Sequence, residues 1–215
     1  MMQKAFFETP QGEKMGFILY RQGEKKAGAP LLVYLHGGDG CGEDPDIFHD
    51  MQCLVQFIEN GTVTIPEGTV VLSPQCGENS NWAKEGAVLK ALIDQLIETE
   101  ELDAKRISLT GCSLGGMGTF TMGIAYPDFF SCLMPVCALV KPETCSVLTD
   151  VPVRIFHGTE DHGMGFSVVE AHAVIRAAGG SSELNMLEGQ GHEIRWIYQD
   201  KELGLIDWMV AQKRA

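Results

Sequence analysis

The stretch that decides the fold is Ile107-Ser108-Leu109-Thr110-Gly111-Cys112-Ser113-Leu114-Gly115-Gly116. A run typical of a buried strand is followed by Gly-x-Ser-x-Gly and then by a helical pattern, which extends from Leu114 to Tyr126 and stops before Pro127. This order predicts a sharp strand-to-helix turn that holds the Ser113 hydroxyl above the edge of a sheet. The competing interpretation, a glycine-rich turn with an ordinary serine, is less favoured because both flanking patterns are present.

Outward from this turn, short apolar runs alternate with longer amphipathic ones. The alternation predicts an α/β fold with a mostly parallel central sheet and helices on both faces. The first two strands are expected to form an antiparallel hairpin, and no linker or repeat interrupts the chain, so we expect a single domain over 1–215. The predicted strands cover 4–7, 15–20, 31–35, 70–72, 107–110, 133–136, 153–156 and 183–187. The predicted helices cover 46–60, 85–100, 114–126, 168–178 and 203–210.

Composition narrows the classes of function. The 215 residues are 45% hydrophobic, and 16 basic against 29 acidic side chains give a net charge of −13. That charge opposes binding to nucleic acids and to anionic membranes.

The longest uncharged apolar run, Cys132 to Val140, is too short to span a bilayer. The amino terminus lacks the pattern of a secretory signal, which predicts a cytoplasmic protein. The seven cysteines never form Cys-x-x-Cys, so we expect buried free thiols rather than disulfides or a zinc site.

A nucleophilic serine needs a base, and the chain offers six histidines. His192 lies in a glycine-rich loop after the last predicted strand, where an imidazole can reach the carboxyl edge of the sheet, and it is the predicted base. His36 and His157 each close a strand before a glycine, and we expect both to be structural imidazoles bonded to nearby backbone. His49 and His172 fall within helical patterns.

The predicted base needs a carboxylate to hold its tautomer. Asp161 follows a buried strand and is favoured over its neighbour Glu160 and over Glu143, which follows the preceding strand. His162 is discounted as a base because adjacent side chains on a tight loop diverge. The order Ser113, Asp161, His192 is that of the α/β-hydrolase arrangement and differs from both common protease orders.

An oxyanion hole would need two backbone amides. Leu114 follows the serine at the predicted helix start, and the glycine-rich loop after the strand 31–35 supplies the second, with Gly38 favoured and Asp39 as the alternative. Phosphate binding by this loop is less favoured because no Lys-Ser or Lys-Thr follows it to complete a P-loop.

Further residues near the predicted strand ends are open to two interpretations. Gln75 and Trp82 are predicted to wall a substrate pocket, although Trp82 is equally well explained as a partly buried aromatic. Cys112 adjoins the serine but is expected to pack inward rather than to act as a nucleophile. No spacing typical of a metal site is present, and we predict neither a metal nor a cofactor.

The chain resembles the α/β-hydrolase superfamily, and within it the compact esterases and predicted peptidases related to polyhydroxybutyrate depolymerases, dienelactone hydrolases and the carboxylesterase/phospholipase group. The resemblance runs from Leu31 to His192 and rests on these motifs: Leu35-His36-Gly37-Gly38, Ser73-Pro74-Gln75-Cys76, Gly111-Cys112-Ser113-Leu114-Gly115-Gly116-Met117-Gly118, Tyr126-Pro127-Asp128, His157-Gly158-x-x-Asp161 and Gly191-His192. Dienelactone hydrolases carry cysteine where this chain has Ser113. The loop after Asp161 also lacks the Val-Pro of many relatives.

This resemblance implies a hydrolase of small-molecule carboxylic esters that works through an acyl-enzyme. The span from Ala138 to Pro152 is too short for a cap domain, so we expect an open cleft suited to aryl or sugar esters. The acidic surface should favour neutral or cationic substrates. A serine peptidase and a non-catalytic binding module of the same fold are the alternatives.

Overall fold

The architecture is one mixed sheet of eight strands with helices on both faces. In the computed structural model, which describes residues 1–215, the strands follow the spatial order β1-β2-β4-β3-β5-β6-β7-β8. Their bounds are β1 Met2–Glu8, β2 Lys14–Arg21, β3 Ala29–Leu35, β4 Val70–Pro74, β5 Leu102–Cys112, β6 Cys132–Val136, β7 Val153–Gly158 and β8 Ser182–Leu187. The hairpin β1–β2 and the pair β2–β4 are antiparallel and all other pairs are parallel. The predicted α/β class and the opening hairpin are confirmed.

Five helices cover the sheet: α1 Leu54–Glu59, α2 Trp82–Thr99, α3 Leu114–Ala125, α4 Ser167–Ala177 and α5 Leu205–Ala211. Buried side chains of α2, α3 and α4 join an apolar cluster of 33 residues on one face, and those of α1 and α5 join one of 24 on the other. Strand β3 contributes Leu31 and Val33 to the first cluster and Leu32 to the second. Its uninterrupted apolar sequence follows from this burial on both faces.

The predicted helix over 46–60 is wrong in its first half. The structure has a 3₁₀ turn over Pro45–His49, and α1 begins only at Leu54. Asp44 caps the turn by accepting a hydrogen bond from the Asp46 amide at 3.0 Å, and its carbonyl accepts one from Gln75. These tertiary and capping contacts outweigh the helical periodicity. Helix α2 begins three residues before its predicted start because Asn81 Oδ1 accepts from the amides of Ala83 and Lys84.

The strand order reverses beside β3. The chain leaves β3, pairs β4 on one side of it, and returns to place β5 on the other side. Loops at such a reversal separate at the carboxyl edge of the sheet, which leaves a crevice there. The loops after β3 and β5, which carry the glycine-rich segment and the Ser113 turn, meet at this crevice. The span 138–152 contains one 3₁₀ turn, Pro142–Val147. No helix has the length and apolar character required to cross a membrane.

Candidate active site

Ser113 occupies a strained turn between β5 and α3. Its φ of 59° and ψ of −119° lie outside the regions that residues with side chains ordinarily adopt. The turn is held by the Ser113 amide, which donates to the Val136 carbonyl at 3.0 Å, and by the Met117 amide, which donates to the Ser113 carbonyl at 2.9 Å. The strain is maintained by surrounding backbone, as is common at reactive sites.

Glycines allow this turn to approach the end of β3. A Cβ at Gly115 would lie 1.9 Å from the Leu35 carbonyl oxygen, and one at Gly111 would lie 2.5 Å from the same atom. Neither distance is sterically possible for a side chain. The flanking glycines of Gly-x-Ser-x-Gly therefore let the turn pack directly against the loop after β3.

Asp161 and His192 are joined by a short hydrogen bond. His192 Nδ1 lies 2.7 Å from Asp161 Oδ2, and the Met164 amide donates to Asp161 Oδ1 at 3.3 Å. The Asp161 side chain is 3% exposed and that of His192 is 33% exposed. Burial opposes the charge on Asp161, but the hydrogen bond and the charge of His192 outweigh burial and lower the pKa of Asp161. The carboxylate is thus ionised and paired.

The loop that carries His192 rests on the end of β7. A Cβ at Gly158 would lie 2.2 Å from the Gln190 carbonyl oxygen, and the Glu160 amide donates to that carbonyl at 2.8 Å. Ser113 directly follows β5, which is separated from β7 only by β6, so the two strand ends are roughly 10 Å apart. The structure brings Asp161 and His192 into contact. The Ser113 hydroxyl forms no hydrogen bond, with His192 or with any other group.

The other carboxylates weighed for this role lie elsewhere. Glu160 is exposed and approaches Nε2 of His162 at 3.2 Å. Glu143 is exposed in the 3₁₀ turn after β6. The geometry therefore favours Asp161 as the partner of His192.

Gly38 begins a 3₁₀ turn, Gly38–Gly40, directly after β3. The first backbone amides of such a turn have no acceptor within the turn. The backbone amide of Leu114, the first residue of α3, likewise has no acceptor within its helix. An added Cβ at Gly37 would lie 3.6 Å from Ser113 Cβ, so the loop adjoins the serine. The loop and the helix start thus place free amides on either side of Ser113.

His36 supports this loop from below. It is buried, Nδ1 donates to the Gly37 carbonyl at 2.5 Å, and Nε2 accepts from the Cys76 amide at 2.9 Å. Burial lowers the pKa of His36 to about 4, although the bond to Gly37 favours the charged form. The imidazole is therefore neutral, and the prediction of a structural histidine is confirmed.

His157 differs from the expectation of a backbone-bonded imidazole. It is fully buried, neither ring nitrogen has a hydrogen-bond partner, and Nε2 lies 3.9 Å from Asp161 Oδ2. Burial lowers the pKa of His157 despite the nearby carboxylate. The ring instead packs against Phe166, with ring centroids 5.7 Å apart.

The pocket-wall prediction for Gln75 and Trp82 is corrected. Both are buried, at 4% and 1% exposure. The Gln75 amide donates to the carbonyls of Gly40 and Asp44, and the Trp82 indole donates to the His36 carbonyl at 3.2 Å. The Trp82 side chain also occupies the space that a Cβ at Gly118 would need. Both side chains support the glycine-rich loop from within and do not line an open surface.

The cysteines are all free, and every one except Cys41 is buried, as expected. Cys112 is 1% exposed and packs in the core beneath the turn. An open hollow of about 500 Å³ lies beside the Asp161–His192 pair and is lined by 160–164 and His192. Another, of about 370 Å³ between 62–66 and 198–207, contains none of the predicted site residues.

Sequence reasoning missed one residue of the site. Arg195 follows His192 by three positions, and Nη1 donates to Asp39 Oδ2 at 2.7 Å and to the Gln52 carbonyl at 3.0 Å. No local pattern distinguishes this arginine from a surface cation, since its partner is 156 positions away in the sequence.

Comparison with known proteins identifies the architecture. A thermostable esterase of known structure superposes on 99% of this chain and 63% of its own, with a TM-score of 0.81 and 22% identity. A ferulic acid esterase superposes over 98% of both chains with a TM-score of 0.72 and 14% identity. The chain has the α/β-hydrolase fold.

In sequence, the chain is 27% identical over 169 residues to a bifunctional acetylxylan esterase/xylanase from Neocallimastix patriciarum. The match covers 76% of the present chain but only 24% of that relative, so the chain spans about a quarter of the curated relative's length. No family model matches the chain.

Proposed function

We propose that this chain is a serine hydrolase that cleaves carboxylic esters of small molecules through an acyl-enzyme. The observation that carries the proposal is the 2.7 Å hydrogen bond between buried Asp161 and His192, at the edge where Ser113 occupies a strained turn. A carboxylate-oriented imidazole and a partly exposed, strained serine at the same edge of the sheet are the groups that acyl transfer requires.

In the proposed reaction, Ser113 Oγ attacks the ester carbonyl while Nε2 of His192 accepts its proton. The imidazolium is stabilised by Asp161 and returns the proton to the departing alcohol. A water molecule then attacks the acyl-enzyme by the same route in reverse. The amides of Leu114 and Gly38 donate to the oxyanion, and one such donor contributes about 3 kcal/mol to transition-state stabilisation.

The absence of a Ser113–His192 hydrogen bond is compatible with this role. Catalytic hydrogen bonds are often long in substrate-free structures and tighten when substrate binds.

Ester cleavage is favoured over peptide cleavage because an alkoxide is a better leaving group than the amide anion of an amine and no peptide-binding subsite is evident. The acetylxylan esterase and the ferulic acid esterase among the similar proteins support this preference, whereas an acylaminoacyl peptidase of similar structure keeps the peptidase as the alternative. A binding module without catalysis is disfavoured because it has no need of a strained serine turn.

The test is hydrolysis of p-nitrophenyl acetate, feruloyl esters and acetylated sugars, with peptide p-nitroanilides in parallel. We expect ester turnover that Ser113→Ala abolishes and that Cys112→Ala, the matched control at the buried neighbour, largely retains. Turnover of anilides alone would favour the peptidase, and activity retained in Ser113→Ala would exclude the proposed nucleophile.

A further inference from the structure

An apolar groove extends away from the candidate site along helix α3. It is open, has a volume of about 570 Å³, and lies between α3 and the segment that follows β6. Its lining residues are Met117, Thr121, Ile124, Ala125, Leu139, Val140, Lys141 and Thr144. None of these residues has a role in the proposed chemistry.

The two threonines of the groove present no free hydroxyl to a ligand. Thr121 Oγ1 donates to the Met117 carbonyl at 2.9 Å, and Thr144 Oγ1 donates to the Lys141 carbonyl at 2.6 Å. Because these hydroxyls are engaged with the backbone, the groove offers mainly carbon surface. Such a lining suits an apolar ligand.

One side of the groove is formed by α3, the helix that begins directly after the nucleophile. Met117, Thr121 and Ala125 follow Ser113 at intervals of four residues, so all lie on one face of α3. At 1.5 Å per residue, the groove begins about 6 Å and ends about 18 Å from Ser113 along the helix axis. Its length is therefore about 12 Å.

The opposite wall is also tied to the nucleophile. The Ser113 amide donates to the carbonyl of Val136, and Leu139 follows Val136 by three residues. The Val140 amide donates to Ser167 Oγ at 3.1 Å, which joins this wall to the loop carrying Phe166. Leu139 and Phe166 are 41% and 42% exposed, so two large apolar side chains project on adjoining loops. Exposed apolar side chains that are grouped mark a binding surface more often than those scattered singly.

We propose that this groove binds an extended apolar arm of the ester substrate, aliphatic or aromatic, that reaches up to about 18 Å from the ester group. This inference rests on the proposed function. It implies selectivity for long-chain or extended aryl esters over acetyl esters, because a short acyl group leaves the groove empty.

The test compares p-nitrophenyl palmitate with p-nitrophenyl acetate, and hexadecyl acetate with ethyl acetate, in the wild type and in Leu139→Ser and Ile124→Ser. The first pair detects an acyl arm and the second an alcohol arm. We expect the long-to-short ratio of kcat/KM to fall roughly tenfold in one of the pairs, mainly through KM. Phe6→Ser, which removes an exposed aromatic on edge strand β1, is the control, and its ratios should equal those of the wild type.

Two results would contradict substrate binding in the groove while leaving the proposed function intact. The first is a long-to-short ratio of kcat/KM that is unchanged in both groove variants. The second is the same unchanged ratio together with an altered oligomeric mass in light scattering, which would make the groove an interface between copies of the chain. If the wild type hydrolyses no ester of either series, the proposed function fails and the groove proposal fails with it.

Discussion

Arg195 and Asp39 form an ion pair that joins the two loops flanking Ser113. The guanidinium Nη1 lies 2.7 Å from Asp39 Oδ2, and Nη2 lies 3.1 Å from Glu193 Oε2, beside the proposed base. Burial disfavours the charge of Arg195, but the hydrogen bond to Asp39 and the negative charges of Asp39 and Glu193 together outweigh burial and raise the pKa of Arg195. The pair holds the loop that carries Gly38 against the loop that carries His192.

We predict that Arg195→Gln and Asp39→Asn each lower kcat/KM roughly tenfold, because either change frees one loop relative to the other. The double variant should lose less than the two single losses combined, with a coupling of about 1 kcal/mol. Steady-state kinetics on an ester substrate measure this cycle. Arg154→Gln, which breaks the Arg154–Glu183 pair between β7 and β8, is the control and should leave kcat/KM unchanged. Fully additive losses would show that the ion pair does not couple the loops.

The elements that local pattern defines could be predicted from the sequence. The apolar strand β3, the turn at Ser113 and the order Ser113, Asp161, His192 follow from runs of residues and their spacing. The break of the helix near Cys53, the burial of Trp82 and the Arg195–Asp39 pair could not be predicted in this way. Each depends on groups distant in the sequence that only the folded chain brings together.

The identity of the second oxyanion amide is tested by Gly38→Pro, which removes the candidate donor. Gly37 has the extended conformation that precedes proline, with φ −73° and ψ −176°, so the loop tolerates the substitution. We expect kcat to fall about 10²- to 10³-fold. Gly38→Ala retains the amide and meets no atom within 4 Å, so it should keep activity and melting temperature. An active Gly38→Pro protein would transfer the role to Asp39.

The backbone strain at Ser113 predicts that a glycine at this position stabilises the protein relative to an alanine. Glycine adopts φ 59° without a steric penalty, whereas alanine carries the same Cβ as serine. Ser113→Gly should therefore be more stable than Ser113→Ala by about 1 kcal/mol in urea unfolding, with both variants inactive. Equal stabilities would mean that the turn is unstrained.

Burial of His36 predicts a loss of stability in mild acid. Its pKa is about 4 when folded and 6.5 when exposed, so the unfolded state binds more protons between these values. This contribution to the free energy of unfolding is complete above pH 6.5 and declines as pH falls towards 4, by roughly 3 kcal/mol.

Urea unfolding at several pH values measures this loss. His36→Gln should show a shallower decline than the wild type. Some decline should persist because burial also lowers the pKa of His157. Parallel stability profiles in the two proteins would contradict a neutral, buried His36.

Reaction of the folded protein with a fluorophosphonate probe, followed by intact mass and peptide mapping, tests most directly whether His192 and Asp161 activate Ser113 as a nucleophile. We predict a single adduct on Ser113, formed much more slowly in His192→Ala and in Asp161→Asn. An unlabelled folded protein, or an adduct on any other residue, would contradict it.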